Sequence, residues 1–232
     1  MTEPCRLVIL ISGSGSNLQA FIDRIVSGEL DARIACVISN RPAAGGLQRA
    51  QAAGIATEVI DHTGFASREA FDEALRERVE SHRPDLVILA GFMRILTPIF
   101  LRPFIGRLLN IHPSLLPKYP GLHTHQRAIE AGDVEAGATV HFVTEELDGG
   151  PAIVQASVPV QAGDTPQVLA TRVLGVEHRI YPLAAQWFAR QRLRLHANRA
   201  LLDDMPLPVT GLIYTDDIEN APTTSRETDH NG

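Results

Sequence analysis

The stretch RLVILISGSGSNLQAFIDRIVSGEL, residues 6–30, changes its period half-way. Residues 6–12 form a short continuous apolar run, the pattern of a strand covered on both faces. After the Gly/Ser linker, Leu18, Phe21, Ile22, Ile25 and Val26 recur at spacings of three and four, one stripe of a helix. The alternation continues downstream. ARIACVISN (32–40) reads as a strand and GGLQRAQAAG (45–54) as a helix ending at Gly54. ATEVID (56–61) is a third strand, and SREAFDEALRERVESH (67–82) a helix with Ser67 as its N-cap. DLVILAGF (85–92) and GRLLNIH (106–112) supply a fourth and a fifth strand. Strands and helices in this order predict a doubly wound α/β fold, its sheet mostly parallel with right-handed crossovers.

Beyond residue 135 the rhythm changes. GATVHFVTEELDGGPAIVQASVPV (137–160) holds two strand-like runs joined by an Asp-Gly-Gly turn, an antiparallel hairpin. PQVLATRVLGVEHRIYPLAAQWFARQRL (166–193) predicts a long amphipathic helix, with Trp187 and Phe188 as core contacts. Residues 1–212 are expected to form a single domain, with a first half to about residue 105 and a second from 106. Residues 213–232 carry little to bury and are expected to be disordered.

The 232 residues are 44% hydrophobic and 21% charged, enough to bury a large core without disulfides. Cys5 and Cys36 lie in or beside apolar runs, where cysteine acts as a small hydrophobe. The apolar run LVILI is too short for a signal sequence and nothing approaches a membrane span, which implies a cytoplasmic protein without a membrane partner. A net charge of −6 argues against nucleic acid as a partner. It leaves room for a small phosphorylated ligand, which a helix start binds through backbone N–H groups.

A loop, a strand end and a turn carry chemistry-bearing residues. In SGSGSNL (12–18), Gly13 and Gly15 let the backbone curl, and Ser16 or Asn17 can cap the helix, whose positive end then faces an anion. The stretch is neither a dinucleotide fingerprint nor a P-loop, and a plain tight turn is the alternative. In NIH (110–112), Asn110 and His112 project to one face, roughly 6.6 Å apart, at the carboxyl end of a parallel strand where such sheets bind ligands. An amide donor beside an imidazole suits acyl transfer, and a core pair bonded to backbone is the alternative. Asp148, in the hairpin turn, could stabilise an imidazolium at His112 or be ordinary turn chemistry. His112, His123, His125 and His141 lack Cys partners and familiar zinc spacing, so no metal is expected.

Taken in order, SGSGSNL, LAGFMRIL (89–96), NIHPSLLPKYPGLHTHQRAIEAG (110–132) and HFVTEELDGGP (141–151) resemble the folate-dependent glycinamide ribonucleotide transformylases of purine synthesis, over about residues 6–205. The resemblance implies the formyltransferase fold with a Rossmann-like N-terminal half. It also implies transfer of the formyl group of 10-formyltetrahydrofolate to the amine of 5-phosphoribosylglycinamide, by a monomer or homodimer. By the same resemblance Asn110, His112 and Asp148 are the catalytic trio. Gly15, Ser16, Asn17 and Glu177 would hold the nucleotide substrate. Arg68, Met93, Arg94, Ile95, Leu96, Asn110, Thr144, Glu145, Glu146, Leu147 and Asp148 would hold the folate, with Arg68 near its glutamate tail. Ile95 and Leu96 would form an apolar wall for the pterin. The first loop departs from the family pattern in carrying Ser14 in place of Asn. A folate hydrolase and a methionyl-tRNA formyltransferase share the fold, and an idle binding protein is a rival of another class. The acidic charge and the PKYPGLHTH stretch favour the glycinamide branch.

Overall fold

The computed structural model describes residues 3–219. The N-terminal half alternates as expected: β1 (Cys5–Ile11), α1 (Ser16–Val26), β2 (Ala32–Ser39), α2 (Gly45–Ala52), β3 (Thr57–Val59), α3 (Arg68–Ser81), β4 (Leu86–Leu89), the single turn α4 (Pro98–Leu101) and β5 (Leu108–His112). Then come α5 (Thr124–Glu130), β6 (Glu135–Phe142), β7 (Ala152–Pro159) and α6 (Pro166–Ala189). The chain continues through β8 (Leu193–His196), β9 (Arg199–Leu202), β10 (Met205–Pro206), β11 (Leu212–Ile213) and α7 (Asp216–Glu219).

Among the described residues, eight strands form one sheet in the order β11-β7-β6-β5-β4-β1-β2-β3. Strands β3, β2, β1, β4 and β5 run parallel, and β6 and β7 return as an antiparallel hairpin against β5. β1 explains its own apolar run: Leu7, Ile9 and Ile11 point into a core with Leu18 and Phe21 of α1 and Val173, Ile180 and Tyr181 of α6. Val8 and Leu10 point the other way, onto Phe71, Leu75 and Val79 of α3 with Phe100 and Phe104. Alternate side chains of one strand thus feed two cores. Tyr181 ties α6 to the sheet, its hydroxyl reaching the carbonyls of Leu89 at 3.1 Å and Leu109 at 2.9 Å.

Three expectations are corrected. Neither Ser16 nor Asn17 caps α1: Gly15 stands at the cap with φ 73° and no side chain caps the helix. The long helix stops at Ala189 instead of reaching 193, because Gln191 takes a left-handed φ of 58° and the following residues pair as the three-stranded sheet β10-β9-β8. The stretch from 213 is not wholly unstructured: Leu212 and Ile213 pair in parallel with Val154 and Gln155, and Tyr214 N–H bonds the Gln155 carbonyl at 2.7 Å. The edge of β7 away from β6 supplies hydrogen bonds that the polar composition of the tail does not advertise. The rest of the tail lies outside the described residues. No helix among the described residues is long and apolar enough to cross a membrane.

Candidate active site

β5 is the strand where the parallel half of the sheet meets the antiparallel hairpin, and its last residues carry the site. Asn110 and His112 share a face. Asn110 lies opposite His141 of β6, and His112 opposite Thr139. The Asp148 carboxylate in the β6–β7 connection comes within 3.5 Å of His112 Nδ1, with both side chains largely buried. Asp148 takes a left-handed φ of 51°, which a short polar side chain tolerates better than most. Two residues on, Gly150 is obligatory: a Cβ there would stand 1.8 Å from the Phe142 carbonyl oxygen.

The backbone of the 113–123 loop reaches both members of this pair. His112 Nε2 donates to the Tyr119 carbonyl at 2.8 Å, so that nitrogen carries the proton in the neutral ring. Gly121 N–H donates to Asp148 Oδ2 at 2.9 Å. The loop is pinned from below by Thr139, whose hydroxyl donates to the Ser114 carbonyl and accepts the Leu116 N–H, and by Gln155, which donates to the Leu116 carbonyl. At its far side Asp133 accepts from Lys118 Nζ and the Tyr119 hydroxyl, both at 2.9 Å. These bonds hold the Asp133 carboxyl below its ordinary range, Lys118 contributing most.

The sequence singles out His141 only as a candidate metal ligand. In the fold it is 2% exposed, and its Nδ1–H donates to its neighbour's carbonyl, Phe142 O, at 2.9 Å. That leaves Nε2 as an acceptor for Asn110 Nδ2 at 3.3 Å, and so fixes which way the Asn110 amide points. Burial, the largest influence, lowers the His141 pKa and keeps the ring neutral. His125, on α5, is likewise lowered by burial first and then by the nearby His112. The four histidines considered together as metal ligands do not cluster. Among the described residues the cluster with metal-type spacing is Cys36, Glu58 and His82, elsewhere in the fold.

Of the residues expected to hold the nucleotide, Asn17 of α1 and Glu177 of α6 meet. Gly15 is required twice over, by its positive φ and because a Cβ would fall 2.5 Å from Gly46 Cα. The first helical hydrogen bond runs from Gln19 N–H to Gly15 O, so the amides of Ser16, Asn17 and Leu18 precede the helical ladder. Asn17 Nδ2 donates to Glu177 Oε2 of α6 at 2.7 Å, both residues being buried. Burial raises the Glu177 pKa, and the Asn17 bond only partly offsets it. Ser12, unremarked in the sequence, joins this loop to the next: its hydroxyl donates to Asn40 Oδ1 at 2.6 Å and accepts Met93 N–H at 2.8 Å.

The expected folate residues divide. Arg68 opens α3 and is exposed, as are Met93 and Ile95. Leu96 turns inward onto the core under α3, so of the expected wall pair only Ile95 faces out. The Arg94 guanidinium lies 5.3 Å from the centre of the Phe71 ring. Asp72, missed in the sequence, is fully buried between these groups and accepts Thr97 N–H at 2.5 Å. Burial raises its pKa, opposed by the Thr97 bonds and by the cations Arg94 and Arg68. An acid among Phe71, Leu75 and Val79 on a buried helix stripe was the available signal. Thr144 is half-buried, while Glu145, Glu146 and Leu147 are exposed, and Glu145 pairs with Arg102 at 2.8 Å.

Residues 5–185 match the family described as formyl transferase. The chain belongs to the formyl transferase family. This formyl transferase is 55% identical over 205 residues to the phosphoribosylglycinamide formyltransferase of Escherichia coli, covering 88% of the chain and 97% of that protein. It is 50% identical to the enzyme of the same name from Haemophilus influenzae, over 89% of the chain and 97% of that protein. The phosphoribosylglycinamide formyltransferase structure from Coxiella burnetii superposes with a TM-score of 0.88 at 49% identity, covering 92% of this chain and all of that one.

Proposed function

We propose that this formyl transferase moves the formyl group of 10-formyltetrahydrofolate to the glycinamide amine of 5-phosphoribosylglycinamide, in purine biosynthesis. The observation that carries the reading is the His112–Asp148 pair beside Asn110 at the end of β5. It stands in a chain that matches E. coli phosphoribosylglycinamide formyltransferase over nearly that enzyme's whole length. The nucleotide phosphate would sit at the start of α1, on the amides around Gly15, Ser16 and Asn17. Glu177, facing Asn17, would take the sugar or amine side of the nucleotide. The folate would lie along 93–96 and 144–148, with Arg68 meeting its terminal carboxylates.

In the reaction the amine nitrogen attacks the formyl carbon, a C–N bond forms, and the carbonyl oxygen becomes an oxyanion. Asn110 has one amide hydrogen on His141 and one left to donate to that oxyanion. His112 joins it by exchanging the Tyr119 carbonyl for the substrate oxygen at Nε2. Asp148 places negative charge beside the ring while the Nε2–H donates to the oxyanion. The proton leaves the attacking nitrogen and reaches N10 of the folate as the C–N10 bond breaks. Formyl transfer followed by absorbance, with and without the nucleotide, tests the assignment. Turnover that requires the nucleotide is expected, whereas equal turnover without it would make the protein a folate hydrolase.

A further inference from the structure

Cys36 of β2, Glu58 of β3 and His82, which closes α3, converge on the sheet face under α3, away from the reaction. The thiol sulfur, a carboxylate oxygen and an imidazole nitrogen all lie within 4.8 Å of one another. His82 Nε2 and Glu58 Oε1 are 2.9 Å apart, and Arg78 Nε stands 3.3 Å from the second Glu58 oxygen. The thiol is wholly buried, while the Glu58 and His82 side chains keep 27% and 20% of their exposure. An ion arriving from solvent would therefore meet the oxygen and nitrogen first, with sulfur as the floor.

The donors sit on three different elements and are themselves held. Arg78 engages the outer oxygen of Glu58, the kind of outer contact that orients a metal ligand, and Arg6 donates to the main-chain carbonyl of His82, holding the end of α3 in place. One sulfur, one nitrogen and one oxygen suit a borderline ion. Magnesium and calcium, which prefer six or more oxygens, are poorly matched.

We propose that Cys36, Glu58 and His82 bind zinc(II), with water as the fourth ligand, as a clamp between strands β2 and β3 and the end of α3. On binding, the S–H bond breaks, its proton passes to solvent, and a sulfur–zinc bond forms. The Nε2 lone pair of a neutral His82, protonated at Nδ1, and Glu58 Oε1 take two further positions. Thiolate and carboxylate then balance the charge of the ion, with Arg78 left on the outer oxygen. Without metal the thiol stays protonated: burial above all, and the Glu58 charge, push its pKa up to about 12.

The test uses cobalt(II) as a coloured stand-in, titrated into the full chain under reducing conditions. The expected result is one equivalent bound, with a thiolate-to-cobalt charge-transfer band and the strong visible bands of a four-coordinate ion, both displaced by zinc. Cys36→Ala should abolish the charge-transfer band, and Cys5→Ser, altering the other thiol, should leave it. His82→Gln changes a partly exposed side chain and should weaken binding roughly tenfold or more, so it answers even if Cys36→Ala does not fold. Zinc should raise the Tm of the parent chain and not that of His82→Gln. A folded protein that shows no such band, or keeps it in Cys36→Ala, overturns the proposal, as does unchanged affinity in His82→Gln.

Discussion

In the proposed mechanism single side chains carry the chemistry, and their partners set what each substitution should do. On the proposed mechanism His112→Ala removes an oxyanion donor, a loss typically on the order of 10²–10³ in kcat. Asp148→Asn leaves the Gly121 bond possible but removes the charge beside the imidazole. We predict at least a tenfold fall for each, and near-parental turnover in both would remove the trio from the mechanism. Glu177 poses a different case. Its pKa is raised in the folded state, so the native protein holds a proton that the unfolded chain has released. Stability then falls as pH rises from the ordinary carboxyl value of about 4.5 through the folded one. Glu177→Gln should flatten that decline and equal or exceed the parent Tm at pH ~8, while KM for the nucleotide rises. A variant that is less stable than the parent at that pH and unaltered in KM would contradict both halves.

At the scale of elements, Gly15 is the sharpest test of how a loop makes a binding surface. Alanine there adds left-handed strain and a 2.5 Å approach to Gly46, so α1 and α2 must shift apart. We predict a loss of about 1–3 kcal/mol in urea unfolding together with a raised nucleotide KM; a variant as stable as the parent would show that the loop yields freely. The same loop shows how much was readable in advance. The strand–glycine–helix order told where α1 would begin, because it depends on periodicity along the chain. The cap itself is not legible in the sequence, since Gly15 is fixed by its close approach to Gly46 of α2, 31 residues away. Asn110 and His112 were legible from strand alternation, but their fixing partners His141 and Tyr119 needed β6 and the loop to be folded. Asp148 could be suspected from the turn, and its meeting with His112 came only with the hairpin register. The small sheet β8–β10 escaped notice because its strands are two to four residues long, too short for a period to declare itself.

Across the whole molecule, two cores lie on opposite faces of one sheet, and the site sits where the sheet changes from parallel to antiparallel. Tyr181 joins the layers: its ring meets Phe21 edge-on at 5.2 Å and its hydroxyl reaches carbonyls of both β4 and β5. Tyr181→Phe keeps the packing and removes the hydroxyl, so the cost should be about 1–2 kcal/mol, read as a lower urea midpoint with an unchanged slope. Because β5 carries Asn110 and His112, loosening that tie should also lower kcat. A full loss of stability without any change in kcat would separate the clamp from the site.

The grip on His112 and Asp148 comes from a carbonyl and an amide of the main chain, at Tyr119 and Gly121. Peptide groups are the same whatever side chains they bear. Sequence drift at an exposed position such as Leu122 therefore passes unnoticed by the catalytic groups, and Leu122→Ala should turn over like the parent. Removing one residue between 115 and 122 displaces the carbonyl and the amide relative to their targets. The lineage of such a protein is free to vary outward-facing letters of this loop such as Leu122, and is held both to its count and to the Lys118 and Tyr119 side chains that Asp133 grips.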